Sequence, residues 1–193
     1  ADCDAAKQHA RRRAREQSGC VFVEDGADPA ISEGAGTIGV ELLRSGNIDT
    51  IVLPVGDGAL ITGVATWVKQ QAPETKIIGV CATGAPAMAA SWRASKPVTT
   101  EKAITIADGI AICVPIVRSV ERMSAVVDDM VLVDDAQLLD AMQLAATTLG
   151  LILEPSGAAG LAAIRAHHLP GDQLATVLTG GNIHPHLLSK MFK

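Results

Sequence analysis

The sequence predicts an α/β fold, with a mostly parallel, twisted sheet flanked by helices. Three observations predict it. Short apolar runs alternate with helix-length segments along the chain, and strands separated in this way join through right-handed βαβ crossovers rather than hairpins. The strand candidates are continuously apolar, Ile51 to Val55 and Ile77-Ile78-Gly79-Val80 among them, the pattern of strands covered on both faces. The 193 residues are 48% hydrophobic with two Phe, two Trp and no Tyr, so Val, Ile, Leu and Ala must fill a core large enough for one domain or a little more.

The elements follow in order. Asp4 to Gln17 reads as a helix stopped by Ser18-Gly19, and Cys20 to Glu24 as a short strand. After a loop, Gly39 to Ser45 reads as helical. Ile51 to Val55 is a buried strand that runs into Gly56-Asp57-Gly58, and Leu60 to Gln71 is a helix closed by Pro73. Lys76 to Cys81 is the next strand, and Ala85 to Arg93 a helix with Pro86 in its first turn, where proline is tolerated. Asp129 to Val133 is a strand, after which Asp134 or Asp135 caps a helix that runs to Leu149. Leu151 to Leu153 is extended, Ser156 to His167 helical and Leu174 to Leu178 a strand, followed by a second glycine turn at Thr179-Gly180-Gly181-Asn182.

The strand-to-helix turn at Gly56 and Gly58 is the most informative local feature. The first backbone N–H groups of the helix have no intrahelical partner there, and with the positive end of the helix dipole they favour a bound anion. Glycine permits a left-handed turn and lets the main chain approach phosphate oxygens without a Cβ in the way. The same spacing also serves as a plain tight connection. In parallel sheets ligands sit at the carboxyl ends of the strands, so both glycine turns can face one ligand.

A net charge of −5 gives no electrostatic reason to expect nucleic acid. The basic cluster Arg11, Arg12, Arg13 and Arg15 reads as the solvated face of the first helix. Cys3, Cys20, Cys81 and Cys113 lack a C-x-x-C spacing and read as reduced, structural thiols. No stretch is long enough to span a membrane and no signal-peptide core is visible, so a soluble, cytoplasmic protein is expected. A dinucleotide-binding oxidoreductase is disfavoured: no G-x-G-x-x-G is present, and the strand after the glycine turn ends in Cys81 where a ribose-binding carboxylate would stand.

Five motifs then occur in order: Gly34-Ala35-Gly36-Thr37-Ile38-Gly39-Val40-Glu41, Pro54-Val55-Gly56-Asp57-Gly58-Ala59-Leu60-Ile61, Thr105-Ile106-Ala107-Asp108-Gly109, Leu153-Glu154-Pro155-Ser156-Gly157-Ala158 and Leu178-Thr179-Gly180-Gly181-Asn182. Together they resemble the C-terminal half of a fold-type II pyridoxal-phosphate enzyme, with the serine/threonine dehydratases and serine racemases nearest. The resemblance covers nearly the whole chain. It implies a tryptophan synthase β-like fold in which residues 1–193 form the C-terminal portion of a large cofactor-binding domain.

The resemblance implies that Gly56, Asp57, Gly58 and Ala59 cradle the phosphate of pyridoxal 5'-phosphate. The family's four glycines are not all kept, and Asp57 would repel a phosphate unless its side chain turns away or caps the helix. Thr179 matches the residue whose hydroxyl bonds the pyridine nitrogen, Gly109 the main chain packed on one face of the ring, and Glu154 an acidic residue near ring and substrate. Locally, Glu154 also reads as a helix-start carboxylate beside Pro155. The activity implied is elimination of the β-hydroxyl of serine or threonine followed by hydrolysis of the enamine, a net loss of ammonia that gives a 2-oxo acid, in a homodimer without a regulatory domain. The Schiff-base lysine belongs to an N-terminal segment of the family pattern that is not present here, so these residues alone are expected to be inactive unless another segment supplies it. The alternative is a non-catalytic phosphate-binding or pyridoxal-phosphate-binding relative. A half-enzyme is also expected to expose apolar surface where its partner domain belongs. The divalent-cation site of some relatives is expected to be missing, since Cys81 and Ala87 replace its carboxylates. His167-His168 and His184-Pro185-His186 read as surface residues.

Overall fold

The computed structural model describes residues 3–191, without the side chains of residues 3 and 4; the thiol of Cys3 and the whole of Lys193 lie outside the described residues. Four strands, β1 (Thr50–Pro54), β2 (Lys76–Ala82), β3 (Asp129–Val133) and β4 (Leu174–Thr176), form one sheet in the order β3-β2-β1-β4 with every pairing parallel. Among the described residues eight α-helices surround it: α1 (Cys3–Glu16), α2 (Pro29–Arg44), α3 (Ala59–Gln71), α4 (Ala87–Ala94), α5 (Val117–Val126), α6 (Asp135–Leu149), α7 (Pro155–Ala166) and α8 (Pro185–Met191).

The sheet has an apolar core on each face, as period-two side-chain alternation requires. Val52, Ile78, Val80 and Val133 pack with Leu138, Met142, Ala158, Ala159 and Ala162 of α6 and α7. On the other face Ile51, Leu53, Ile77 and Cys81 pack with Ile61, Val64 and Val68 of α3 and with Met88 and Met123. Gly160 lets α7 lie flat on the sheet, because a methyl group there would stand 2.9 Å from the Val52 carbonyl.

Two readings of the sequence need correction. Cys20 to Glu24 forms no strand: no neighbouring strand pairs with it, and Val21 and Val23 lie exposed. The helix expected from Gly39 begins ten residues earlier, with Pro29 at its first position and Asp28 as the cap, its carboxylate accepting the Ala30 N–H at 3.0 Å. Gly36 and Gly39 there are not loop glycines. Added methyl groups would lie 3.2 Å from the Gly63 carbonyl and 3.1 Å from the Val64 carbonyl, so they let α2 and α3 cross with their backbones in contact. α5 was not anticipated. Its buried Ser119, Val120 and Met123 mark a short helical stripe, but Ile116 supplies no side-chain cap.

Candidate functional site

β1 and β4 are adjacent and parallel, with Val52 opposite Thr176, so the segments that leave their carboxyl ends emerge side by side. The two glycine turns occupy these exits, as the sequence implied. They line a cleft of about 160 Å³ together with Asp25, Leu60, Ile110 and Ser156. All seven residues singled out in the sequence border this cleft: Gly56, Asp57, Gly58, Ala59, Gly109, Glu154 and Thr179. A larger, apolar groove of about 790 Å³ between α2, α3 and α5 contains none of them.

The first turn is built around missing side chains. Gly58 caps α3 at φ +93°, a left-handed conformation, and makes no side-chain cap bond. A methyl group at Gly58 would meet Ser119 Oγ at 2.4 Å, and one at Gly56 would meet the Gly109 carbonyl at 2.6 Å. Main chain from 56–59 and from 108–110, a single 3₁₀ turn, therefore closes on the same space. Ser119, buried on α5, donates to the Asp57 carbonyl, which fixes the turn from behind.

The second turn is held by Glu154. Its Oε2 accepts the Asn182 N–H at 3.1 Å, and its own N–H donates to the Gly180 carbonyl at 3.2 Å. Gly180 takes φ +67°, and a methyl group there would strike Glu154 Oε1. Glu154 thus has the helix-start position expected of it, as N-cap of α7, while also bordering the cleft. Ser156 is buried there, its Oγ without a hydrogen-bond partner and close to Gly109.

Asp57 turns its side chain away from the role of helix cap. It is 7% exposed, and its Oδ2 lies 2.5 Å from Nζ of Lys7 on α1. The contact is an ion pair, and Asp57 Oδ1 is left without a hydrogen-bond partner. Burial pushes the Asp57 carboxyl above its ordinary value; Lys7 opposes this, and the charges of Asp25 and Glu24 add to it. Lys7 was not singled out in the sequence, as nothing in the linear pattern joins it to a residue fifty positions on. Ser119 and Ser156 were missed as well.

The remaining groups stand apart. Cys81 is fully buried, its thiol pushed up to about 12 by burial. Cys20 and Cys113 are free thiols, exposed and half-buried respectively. His167 is not a plain surface residue: half-buried, its Nε2 lies 2.9 Å from the Leu132 carbonyl. Arg12, Arg13 and Arg15 are exposed, while Arg11 pairs with Glu24 and lies over the Phe22 ring. Among the described residues no group of three or more His, Cys, Asp or Glu side chains gathers as metal ligands, and no helix is long and apolar enough to cross a membrane.

Comparison with known proteins accords with this geometry. Residues 1–180 match the family described as pyridoxal-phosphate dependent enzymes. The L-threonine ammonia-lyase of Thermotoga maritima is 35% identical over 181 residues, which are 93% of this chain and 45% of that enzyme. The processed form of threonine deaminase isoform 2 from Solanum lycopersicum superposes with a TM-score of 0.89 at 32% identity, over 97% of this chain and 56% of its own. Maize serine racemase gives a TM-score of 0.86 at 30% identity, over 96% and 58%. The chain spans about half the length of the relatives it matches, and aligns with their C-terminal half. By sequence and by fold, this chain belongs to the pyridoxal-phosphate dependent enzymes.

Proposed function

We propose that the chain is the cofactor-binding portion of an ammonia-lyase that converts serine or threonine to a 2-oxo acid and ammonia. The carrying observation is the convergence of seven residues, read from four separate motifs, on one cleft at the carboxyl edge of the sheet. The cleft suits pyridoxal phosphate. Its phosphate end is a cradle that a Cβ would fill at Gly56 or Gly58, and the N-terminus of α3 supplies main-chain donors and a favourable dipole. The similarity to a threonine ammonia-lyase and a threonine deaminase supports the reaction class.

In this reading the N–H groups of Gly56, Asp57, Gly58 and Ala59 bind the phosphate, and the Thr179 hydroxyl donates to the ring nitrogen. The cofactor, when bound, withdraws electrons from the carbon that bears the substrate amine. Thr179 leaves the ring nitrogen unprotonated where a carboxylate would charge it, which moderates that withdrawal and suits elimination of a β-hydroxyl. Gly109 presents bare main chain to the ring. Glu154, anchored by the Asn182 N–H, holds an acidic group and the Thr179 turn in fixed relation. Buried Pro54 and Ile110 give the cleft an apolar wall. The same reading implies a cytoplasmic homodimer, and exposed Val21, Ile104 and Val117 are the kind of surface a partner covers.

The test is to supply the full-length gene product with pyridoxal phosphate and measure 2-oxo acid formed from serine and from threonine. Release that disappears when the cofactor is stripped and returns on its addition is the expected result. Cofactor binding without 2-oxo acid from either amino acid would instead favour a non-catalytic binding relative, and no cofactor binding would overturn both.

A further inference from the structure

Asp57 is an odd residue to find in an anion-binding turn. A carboxylate at the centre of four residues whose amides face a phosphate would weaken binding through like-charge repulsion, and more so in a buried setting than in water. The structure supplies a counter-charge from a distant part of the chain. Lys7 reaches from α1 to within 2.5 Å of Asp57 Oδ2, with its side chain 18% exposed and that of Asp57 7%. Arg11, one turn further along α1, is paired with Glu24, and Asp25 borders the cleft itself. Lys7 is thus the cation set against Asp57.

The Asp57 main chain is fixed independently of this pair. Its carbonyl accepts from Ser119 and packs under Gly26, where a methyl group would approach it to 2.2 Å. The conformation of the turn therefore does not require the carboxylate to be charged or Lys7 to be present. What the pair changes is the charge beneath the turn.

We propose that Lys7 is a positioning residue for the anion site, whose ammonium cancels the charge of Asp57 so that the main chain of residues 56–59 can accept a phosphate dianion. The inference rests on the reading of this turn as the phosphate site. It makes α1 a part of the anion-binding machinery, although α1 carries none of the five motifs.

The experiment uses the full-length gene product and three probes: inorganic phosphate, pyridoxal phosphate, and pyridoxal as the phosphate-free control. Lys7→Met should weaken both phosphate-bearing probes about tenfold, the effect of one uncompensated charge a few ångströms away at partial burial, and leave pyridoxal within about twofold. Lys7→Arg should keep wild-type affinity within about threefold. Asp57→Asn should bind phosphate at least as tightly as wild type, and the Lys7→Met/Asp57→Asn double variant should recover most of the loss.

Unchanged phosphate affinity in Lys7→Met, or an equal loss for all three probes, overturns the inference and leaves Lys7 as an anchor for α1. Should Lys7→Met fail to fold, Asp57→Asn decides alone: weaker phosphate binding in that variant contradicts charge cancellation. Wild-type protein that binds neither phosphate nor pyridoxal phosphate refutes the site itself. Wild-type binding with an indifferent Lys7→Met refutes only the role of Lys7.

Discussion

Replacing Gly58 by alanine tests the construction of the anion turn directly. Gly58 sits at φ +93° as N-cap of α3, and an L-residue forced into the left-handed region costs about 1–2 kcal/mol. The added methyl would also stand 2.4 Å from Ser119 Oγ, with Met88 Cε at 3.5 Å and Met123 Sδ at 3.8 Å. Ser119 cannot rotate away freely, because its hydroxyl donates to the Asp57 carbonyl; overpacking at such a site costs about 1–3 kcal/mol. The expected destabilisation is the sum, about 2–5 kcal/mol, or very roughly 4–20 °C in Tm for a domain of this size. Denaturant unfolding of Gly58→Ala, in wild-type and Ser119→Ala backgrounds, separates the two parts. Removing the hydroxyl should recover the steric share and leave about 1–2 kcal/mol of backbone strain. A total cost below about 1 kcal/mol, or a cost that vanishes entirely with Ser119→Ala, would refute the reasoning.

Other outcomes follow from the same geometry. In native protein a thiol reagent should label exposed Cys20 quickly and spare Cys81, whose burial and raised pKa of about 12 keep the thiolate scarce; Cys81 labelling at the Cys20 rate would contradict its placement. Asp134→Ala removes a capping box in which Asp134 accepts from the Gln137 N–H at 2.8 Å and Gln137 answers at 2.9 Å, so unfolding should show a loss of about 0.5–2 kcal/mol. The folded chain holds the Asp57 proton more tightly than the unfolded one, since burial raises its pKa above 3.8. The stability of wild type relative to Asp57→Asn should therefore be greatest below pH 3.8 and fall as pH rises past that value; a rise over the same range would reverse the sign assigned to Asp57. Thr179→Ser should preserve cofactor affinity and Thr179→Ala should lower it by about the 1 kcal/mol of one hydrogen bond, measured by titration of the full-length protein.

How much of this was legible in the sequence depended on the range of the signal. β1, β3 and α6 are close to their expected spans because their cues are local: an apolar run, a glycine turn, an aspartate cap. The adjacency of the two turns could be deduced from topology alone, since parallel strands send their carboxyl ends to one edge. Residues 29–38 misled because glycine is a poor helix former in isolation, yet at Gly36 and Gly39 the backbone of α3 takes the place of side chains. Cys20 to Glu24 has strand-like residues without a strand to pair with, and β-propensity alone does not supply a neighbour. The Lys7–Asp57 pair was beyond local reading altogether. It joins residues fifty positions apart through the docking of α1, and only the folded chain shows that a lysine stands against the aspartate of the turn.

The central claim is that amides of the first glycine turn hold a phosphate while Thr179 addresses the ring of the same ligand. Amide chemical shifts of the full-length protein, followed first with inorganic phosphate and then with pyridoxal phosphate, test it most directly. Saturable shifts at Gly56, Gly58 and Ala59 with either ligand, joined by Thr179 and Gly180 only with the second, are expected. Binding of pyridoxal phosphate that leaves Gly58 and Ala59 unmoved would contradict the account.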